Sequence, residues 1–448
     1  MLLVVRFSQS VVVAGFLAGA AIVSAQTAPV LTIDDAVALA LQGNREVQSA
    51  ALEVDRAREE TAALHTKRWP QFQLYALGGV PLTRATATVP TGALGTYPVT
   101  GPIPGPNVGV TTPRQLSGII WGQALQPVSQ LWKIHLDLIS SRIREGIALQ
   151  RLRQKRQETA QSVRQLYDQI AQIQAQTESA EAEEKTLAEL QIETDRKLVE
   201  LAVLKSDTLD VRARLSRQRY QLLKLRDSIK TQKESFNRLL GRDLKAEFSV
   251  ELEPLPAAAE IDLAAAQNLA LRRRPEIQEA RLQMKKAEAE VRRERAEYIP
   301  DVSAGFTYAA FPNVSFLPQN FAIAGFLLQW QPFDWGEKRH KTRFLRDAVQ
   351  QATLAERDTE QQILLDVNSR FRALAEARML LDTTSLAKQA QREALRETMN
   401  RYREKAALLS DALQQQGAMV QADSDYQSAL AAFWKTKADF DRALGREY

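Results

Sequence analysis

The chain repeats itself, and the repeat sets what it can fold into. Residues 31–70, LTIDDAVALALQGNREVQSAALEVDRAREETAALHTKRWP, map onto residues 261–300, IDLAAAQNLALRRRPEIQEARLQMKKAEAEVRRERAEYIP, without a gap when 230 is added to each number. Leu39-Ala40-Leu41 falls on Leu269-Ala270-Leu271, Glu46 on Glu276, Leu52 on Leu282 and Pro70 on Pro300. A tandem duplication at fixed spacing means two copies of one supersecondary unit, each needing a neighbour to cover it.

Each unit opens with helices and continues with strands. Leu31 onward has helical period, with Thr32 as N-cap and Gly43-Asn44 as a break between a short and a longer helix. After Trp69-Pro70, Phe72, Leu74 and Ala76 alternate with Gln71 and Gln73, and Gln115 to Gln126 reads as the partner strand. In the second copy Asp301, Ser303, Gly305, Thr307 and Ala309 alternate with Val302, Ala304, Phe306, Tyr308 and Ala310. The chain returns through Ala322, Ala324, Phe326, Leu328 and Trp330, with Gln329 and Gln331 on the other face. Between the first two strands lies Pro81 to Pro113, rich in Pro, Gly and Thr, which predicts a mobile external loop that does not pack.

Then come very long helices. Residues 147–240 contain no Gly or Pro, and Val163, Leu166, Ile170, Ile173, Ala180 and Leu187 keep the spacing of packed antiparallel helices. The second copy answers with residues 337–416, again free of both, carrying Leu364, Val367, Phe371, Leu374 and Leu381. The copies close alike, Phe236 to Gly241 against Phe440 to Gly445, and Lys245 to Glu260 reads as the linker.

At the N-terminus, Arg6, the apolar run Val11 to Val23 and the small residues before Gln26 read as a cleaved secretory signal. No later apolar run is long enough for a transmembrane helix. With no cysteine there are no disulfides and no acylated Cys. The net charge is only +5, with both signs interleaved along the helices, which argues against a nucleic-acid partner. His65, His135 and His340 lack ligand spacing, and there is no nucleophile with a base and no phosphate-cradling loop. The reading is a non-enzyme without metal or cofactor.

Two strand pairs per chain make four strands, two-faced as in a membrane barrel. An open four-stranded sheet leaves edge amides unpaired in lipid, at several kcal/mol each. The chain must therefore oligomerise, and three copies, with twelve strands, leave room for a lumen where two would not.

The order of these features resembles the TolC family of outer-membrane efflux proteins: Leu39-Ala40-Leu41 with Asn44, Pro70 and Pro300 before the strands, Pro127-Val128 and Pro332-Phe333-Asp334 after them, and the ALG close. The resemblance implies a mainly α fold with a membrane β-barrel portion. Long antiparallel coiled-coil helices would form a periplasmic tunnel, and four strands per chain would join a twelve-stranded trimeric barrel in the Gram-negative outer membrane. Its units would be a signal peptide (1–25), a first repeat (26–247; strand hairpin 70–127, helical hairpin 133–241) and a second (248–448; 300–333 and 336–445). It further implies an exit duct of a tripartite efflux or type I secretion system, with a periplasmic adaptor and an inner-membrane pump as partners. Without the resemblance, a pore-less periplasmic coiled-coil scaffold and an outer-membrane receptor using the Pro81–Pro113 loop stay open.

The helical turns are expected near Leu201 to Lys205 and Lys405 to Leu409, with Ser206-Asp207 and Ser410-Asp411 starting the return helices as caps. In the family these tips form the periplasmic aperture, held by a Tyr/Asp/Arg network and an acidic ring. Tyr402, Asp207 and Asp411 match that pattern, whereas Ala407 stands at the arginine, Gln414 at a second aspartate, and Leu201 and Lys405 at tip glycines. Leu201, Ser206, Lys405 and Ser410 would meet the adaptor. Basic residues crowd the helix ends nearest the strands, with Arg68, Arg293, Arg339 and Arg343 prominent. They form either a collar for anionic outer-membrane lipid or a solvated, Glu-paired face. Trp69, Trp121, Trp132, Trp330 and Trp335 fit an interfacial girdle or, for Trp132 and Trp335, junction packing.

Overall fold

A computed structural model describes residues 30–80, 82–84, 86–111, 114–201, 203–251, 262–313, 319–404 and 406–446. The signal segment, Pro81, Pro113, most of the linker and Lys405 lie outside the described residues.

In the first repeat α1 (Ile33–Gly43) and α2 (Arg45–Thr66) are divided where the sequence places the break. Thr32 Oγ1 accepts from Asp35 N (3.2 Å) and opens α1, and Asn44 Oδ1 accepts from Glu46 N (2.9 Å) and opens α2. Strands β1 (Gln71–Gly79), β2 (Thr86–Val89), β3 (Thr96–Tyr97), β4 (Gly101–Pro102), β5 (Val108–Thr111) and β6 (Ser117–Pro127) follow. The long α3 (Gln130–Val199) and α4 (Lys205–Leu240) form a helical hairpin. At 70 residues, α3 is about 100 Å long. The second repeat runs α5 (Leu263–Arg273), α6 (Pro275–Arg295), a 3-10 turn (Ala296–Tyr298), β7 (Asp301–Ala310), β8 (Asn320–Gln329), α7 (Glu337–Arg403) and α8 (Leu409–Ala443).

The four main strands form one antiparallel sheet in the order β1-β6-β7-β8. Register puts Phe72 opposite Ala124, Ala124 opposite Phe306 and Phe306 opposite Ala324, so the apolar sets of all four strands share one face. Gln73, Gln123 and Thr307 line up on the other, where Gln123 Nε2 donates to Gln73 Oε1.

The Pro81–Pro113 stretch departs from expectation. It is not irregular: β2 pairs with β5 and, beyond them, β3 with β4, as a nested ribbon. Gly92 (φ +77°) and Gly95 (φ +105°) take the left-handed corners that side chains resist, and Asn107 Oδ1 accepts from Thr91 N (2.8 Å). Its base is tied to the other hairpin by Asn313 Nδ2 donating to Leu116 O.

Two matching cores sit where the short helices meet the long ones. In the first, Ala36, Val37 and Ala40 pack against Val163, Ile170, Phe236 and Phe248. In the second, Ala266 and Ala270 pack against Ile363, Val367, Phe440 and Leu444. Val30 bridges Ser249 in parallel, and Tyr167 clamps both segments, its hydroxyl 3.0 Å from Leu31 O and accepting from Glu251 N (3.1 Å). Towards the sheet the helices pack in the row α2, α3, α6, α7; away from it α3 pairs with α4 and α8, and α7 with α8.

Candidate functional site

The two helical turns lie side by side. Val211 of α4 packs with Leu409 and Leu413 of α8, with Leu190 and Tyr402 against them, so the hairpin tips share one small core. The expected serine caps are not formed. Ser206 and Ser410 are the second residues of α4 and α8, and the capping positions are Leu204 and Leu408. The carboxylates of Asp207 and Asp411 reach back to cap them, accepting from Leu204 N (3.3 Å) and Leu408 N (3.2 Å). An acidic side chain in the first turn also suits the helix dipole, so one residue does both tasks.

Tyr402 meets neither aspartate within the chain. Lys197, one turn before the α3 tip, donates to the Tyr402 hydroxyl (3.2 Å) and lies over its ring, 5.1 Å from the centroid. A bond to Glu193, then those to Tyr402, hold the Lys197 ammonium above its usual pKa. Arg214 adds a second link, donating to Leu413 O (3.2 Å). Gln414 is exposed, and Leu201 is exposed at φ +56°, in the left-handed corner where a glycine would be unstrained. Lys197→Met removes the cation that the described residues place at Tyr402 while leaving the tip core intact. The expected result is faster protease nicking at the tips with an unchanged melting temperature, read by limited proteolysis beside a thermal scan.

At the other end of the helices, where they meet the sheet, Lys133 is buried, its side chain 7% exposed, between Glu297 (3.0 Å) and Asp301 (2.8 Å). Arg293 joins Asp137 (2.8 Å) and Glu297. This explains a lysine in the first turn of α3, where it opposes the dipole. Of the four prominent collar arginines, Arg293 is thus ion-paired and half-buried, and Arg68 lies 3.5 Å from His65 Nε2. Arg339 and Arg343 are exposed without an ion pair among the described residues. Ser129 Oγ donates to Pro300 O and accepts from Val302 N, both at 2.7 Å, and fixes the corner between α3 and β7.

Residues 266–446 match the model of the outer membrane efflux protein family. The match covers the second repeat. Solved structures extend the likeness to both repeats. The CmeC outer membrane channel of Campylobacter jejuni is 15% identical, with TM-score 0.76 over 92% of this chain and 85% of its own. The outer membrane protein VceC of Vibrio cholerae is 16% identical, with TM-score 0.73 over 92% and 96%. The MtrE outer membrane channel of Neisseria gonorrhoeae, in its open state, is 16% identical, with TM-score 0.70 over 92% and 88%. At these identities the likeness is one of fold, and it is the TolC-like fold read from the sequence. No curated protein matches this chain in sequence.

The efflux-family assignment places the protein in the outer membrane and gives its exposed sheet a setting. Trp69, Trp121, Trp330 and Trp335 are all exposed in the single chain, Trp335 most, stacked edge-on against Phe333 at 4.8 Å. Trp132 is also exposed and tilts over His135. Sequence reasoning missed Lys197, Arg214 and Glu183. Glu183 lines a cleft between the two helical hairpins, with Lys224, Lys388 and Asp423 around it, and burial pushes its carboxyl up. A carboxylate one turn before a cation is the sequence signal two of them carry, Glu193 before Lys197 and Asp210 before Arg214.

Proposed function

We propose that three copies close head to tail into a twelve-stranded barrel and a helical tunnel, a passive duct through which an inner-membrane pump delivers substrates by way of a periplasmic adaptor. The observation that carries this is the sheet. β1 and β8 are its two free edges, they run in opposite directions, and an edge-to-edge join between copies is antiparallel like every join inside the chain. One face is apolar apart from Gln126 and Asn320 near the strand ends and suits lipid; the other carries Gln73, Gln123, Ser303 and Thr307 among apolar neighbours such as Ile323 and Leu327, and its polar row suits water.

The aperture lies at the tips, with Asp207, Asp411, Tyr402 and Gln414 around it, and Leu201, Ser206 and Ser410 facing the adaptor. Carboxylates brought together about one axis repel each other and draw cations. Arg68, Arg293, Arg339 and Arg343 sit level with the inner-leaflet headgroups. The chain has no catalytic role; the pump selects the cargo.

Planar-bilayer conductance tests the reading. Asp411→Asn keeps the oxygen that caps Leu408 and removes the charge, so folding and gating effects separate. Small, cation-preferring openings in the wild type, with weaker cation preference in the variant, support a pore gated at the tips. Absence of conductance from both would remove it.

A further inference from the structure

Helix α3 is flanked on both sides, by α2 and α4 of its own repeat and by α6 and α8 of the other. Its counterpart α7 packs along α5, α6 and α8, while Phe344, Leu354 and Leu365, away from the buried Ile363 and Val367, are exposed. The α3–α6 seam is antiparallel: Lys133 meets Glu297, Asp137 meets Arg293, Gly146 packs under Leu282, and Arg151 meets Glu279.

The repeat says what belongs on the bare side. Helix α2 precedes α6 by 230 residues, and α3 precedes α7 by 204 where Val163 and Val367, both fully buried, coincide. Carried over those offsets, the contact of Gly146 with Leu282 becomes one of Gln350 with Leu52, and that of Arg151 with Glu279 becomes Ala355 with Ser49. Midway between these two registers Asp347 falls opposite Arg56, and Asp358 opposite Arg45.

All four side chains are exposed, and none has an ion-pair partner among the described residues; Asp358 accepts only from Gln362 Nε2 (2.6 Å). The two acids are eleven residues apart on α7 and the two arginines eleven apart on α2, about three helical turns in each case. In antiparallel helices equal spacing brings both pairs into register together. Leu52 and Leu354, 63% and 64% exposed, lie between them.

We infer that the bare side of α7 docks on α2 of a second copy, Asp347 onto Arg56 and Asp358 onto Arg45, with Leu52 and Leu354 packed between. The contact repeats the internal seam between chains, a heterologous interface that closes into a ring. It rests on the proposed assembly and specifies its helical seam.

The chain has no cysteine, so a full-length chain carrying both Leu52→Cys and Gln351→Cys has no background thiols. Detergent-extracted protein is sized by light scattering, then oxidised with copper phenanthroline. Covalent trimers from the double variant, with none from either single variant, are expected. In a second arm Asp347→Arg lowers the trimer fraction and added Arg56→Asp restores it. A trimer that neither cross-links nor responds to the charge swap would overturn this seam and leave the ring of copies standing. A monomer by light scattering would remove the ring and the seam with it.

Discussion

Gly241→Ala is expected to abolish the folded, assembled protein, read as loss of the cooperative thermal transition and of any oligomer on sizing. Gly241 ends α4 at φ +73°, in the left-handed region, where a side chain costs about 1–2 kcal/mol before any contact is considered. The contact is worse. An added methyl would lie far inside contact distance of Gly43 O and 2.5 Å from Gly43 C, both backbone atoms at the end of α1. Neither can rotate away, so α1 must move, and Ala36, Val37 and Ala40 leave the core they share with Phe236. Strain and lost burial together exceed roughly 4 kcal/mol, near the top of the range for single substitutions. Gly445→Ala, its partner in the second repeat (φ +69°), meets Arg274 N at 2.9 Å and is expected to cost less.

Lys133→Met should be the next most damaging change, at about 2–4 kcal/mol, because it leaves two carboxylates facing each other without their buried cation. Glu297 and Asp301 are themselves about one-third exposed, which keeps the figure below that of a fully buried pair. The sign of the pH dependence follows from the two partners. Burial opposes the charge of Glu297, but bonds from Arg293 and Lys133 outweigh it and hold the carboxyl below its usual range. That stability is present above the ordinary carboxylate pKa and lost as pH falls through the lower, folded value. Burial likewise opposes the charge on Lys133, and Asp301 and Glu297 outweigh it and raise its pKa. Its share is complete below the ordinary lysine value and lost above the raised one. Denaturant titrations should therefore show the largest gap between wild type and Lys133→Met near neutrality, and a narrower one at about pH 3. A gap independent of pH would mean lost packing, with no electrostatic part.

Much of this was legible in the sequence because the relevant signals are local or periodic. Thr32 caps where expected and the helix breaks at Gly43-Asn44 as expected, with Asn44 opening the next helix, since such signals need only their own next turn. The strands were legible from alternation, and the gapless repeat made each half a check on the other. The missed features depend on residues far apart. Lys133 reads as a misplaced charge until α6 brings Glu297 beside it, 164 positions away. Tyr402 finds Lys197, 205 positions away. The serine caps failed for a subtler reason: with Leu204 and Leu408 extended, an aspartate three residues on caps them, so the helix starts one residue before the serine. The ribbon was misread because Pro, Gly and Thr signal turns, and here consecutive turns nest into paired strands.

That ribbon also breaks a symmetry. Before it the repeats are offset by 230 residues, and after it, from Lys205 to Leu409, by 204. The first strand hairpin is longer than the second by this difference, while the helical hairpins stay nearly equal. In a ring of three copies the tips are six near-copies of one hairpin, whereas the opposite rim alternates three long ribbons with three short turns. In the proposed assembly a ligand at the ribbon rim would meet a threefold object and one at the tips an almost sixfold one, so the two ends would favour partners of different valency.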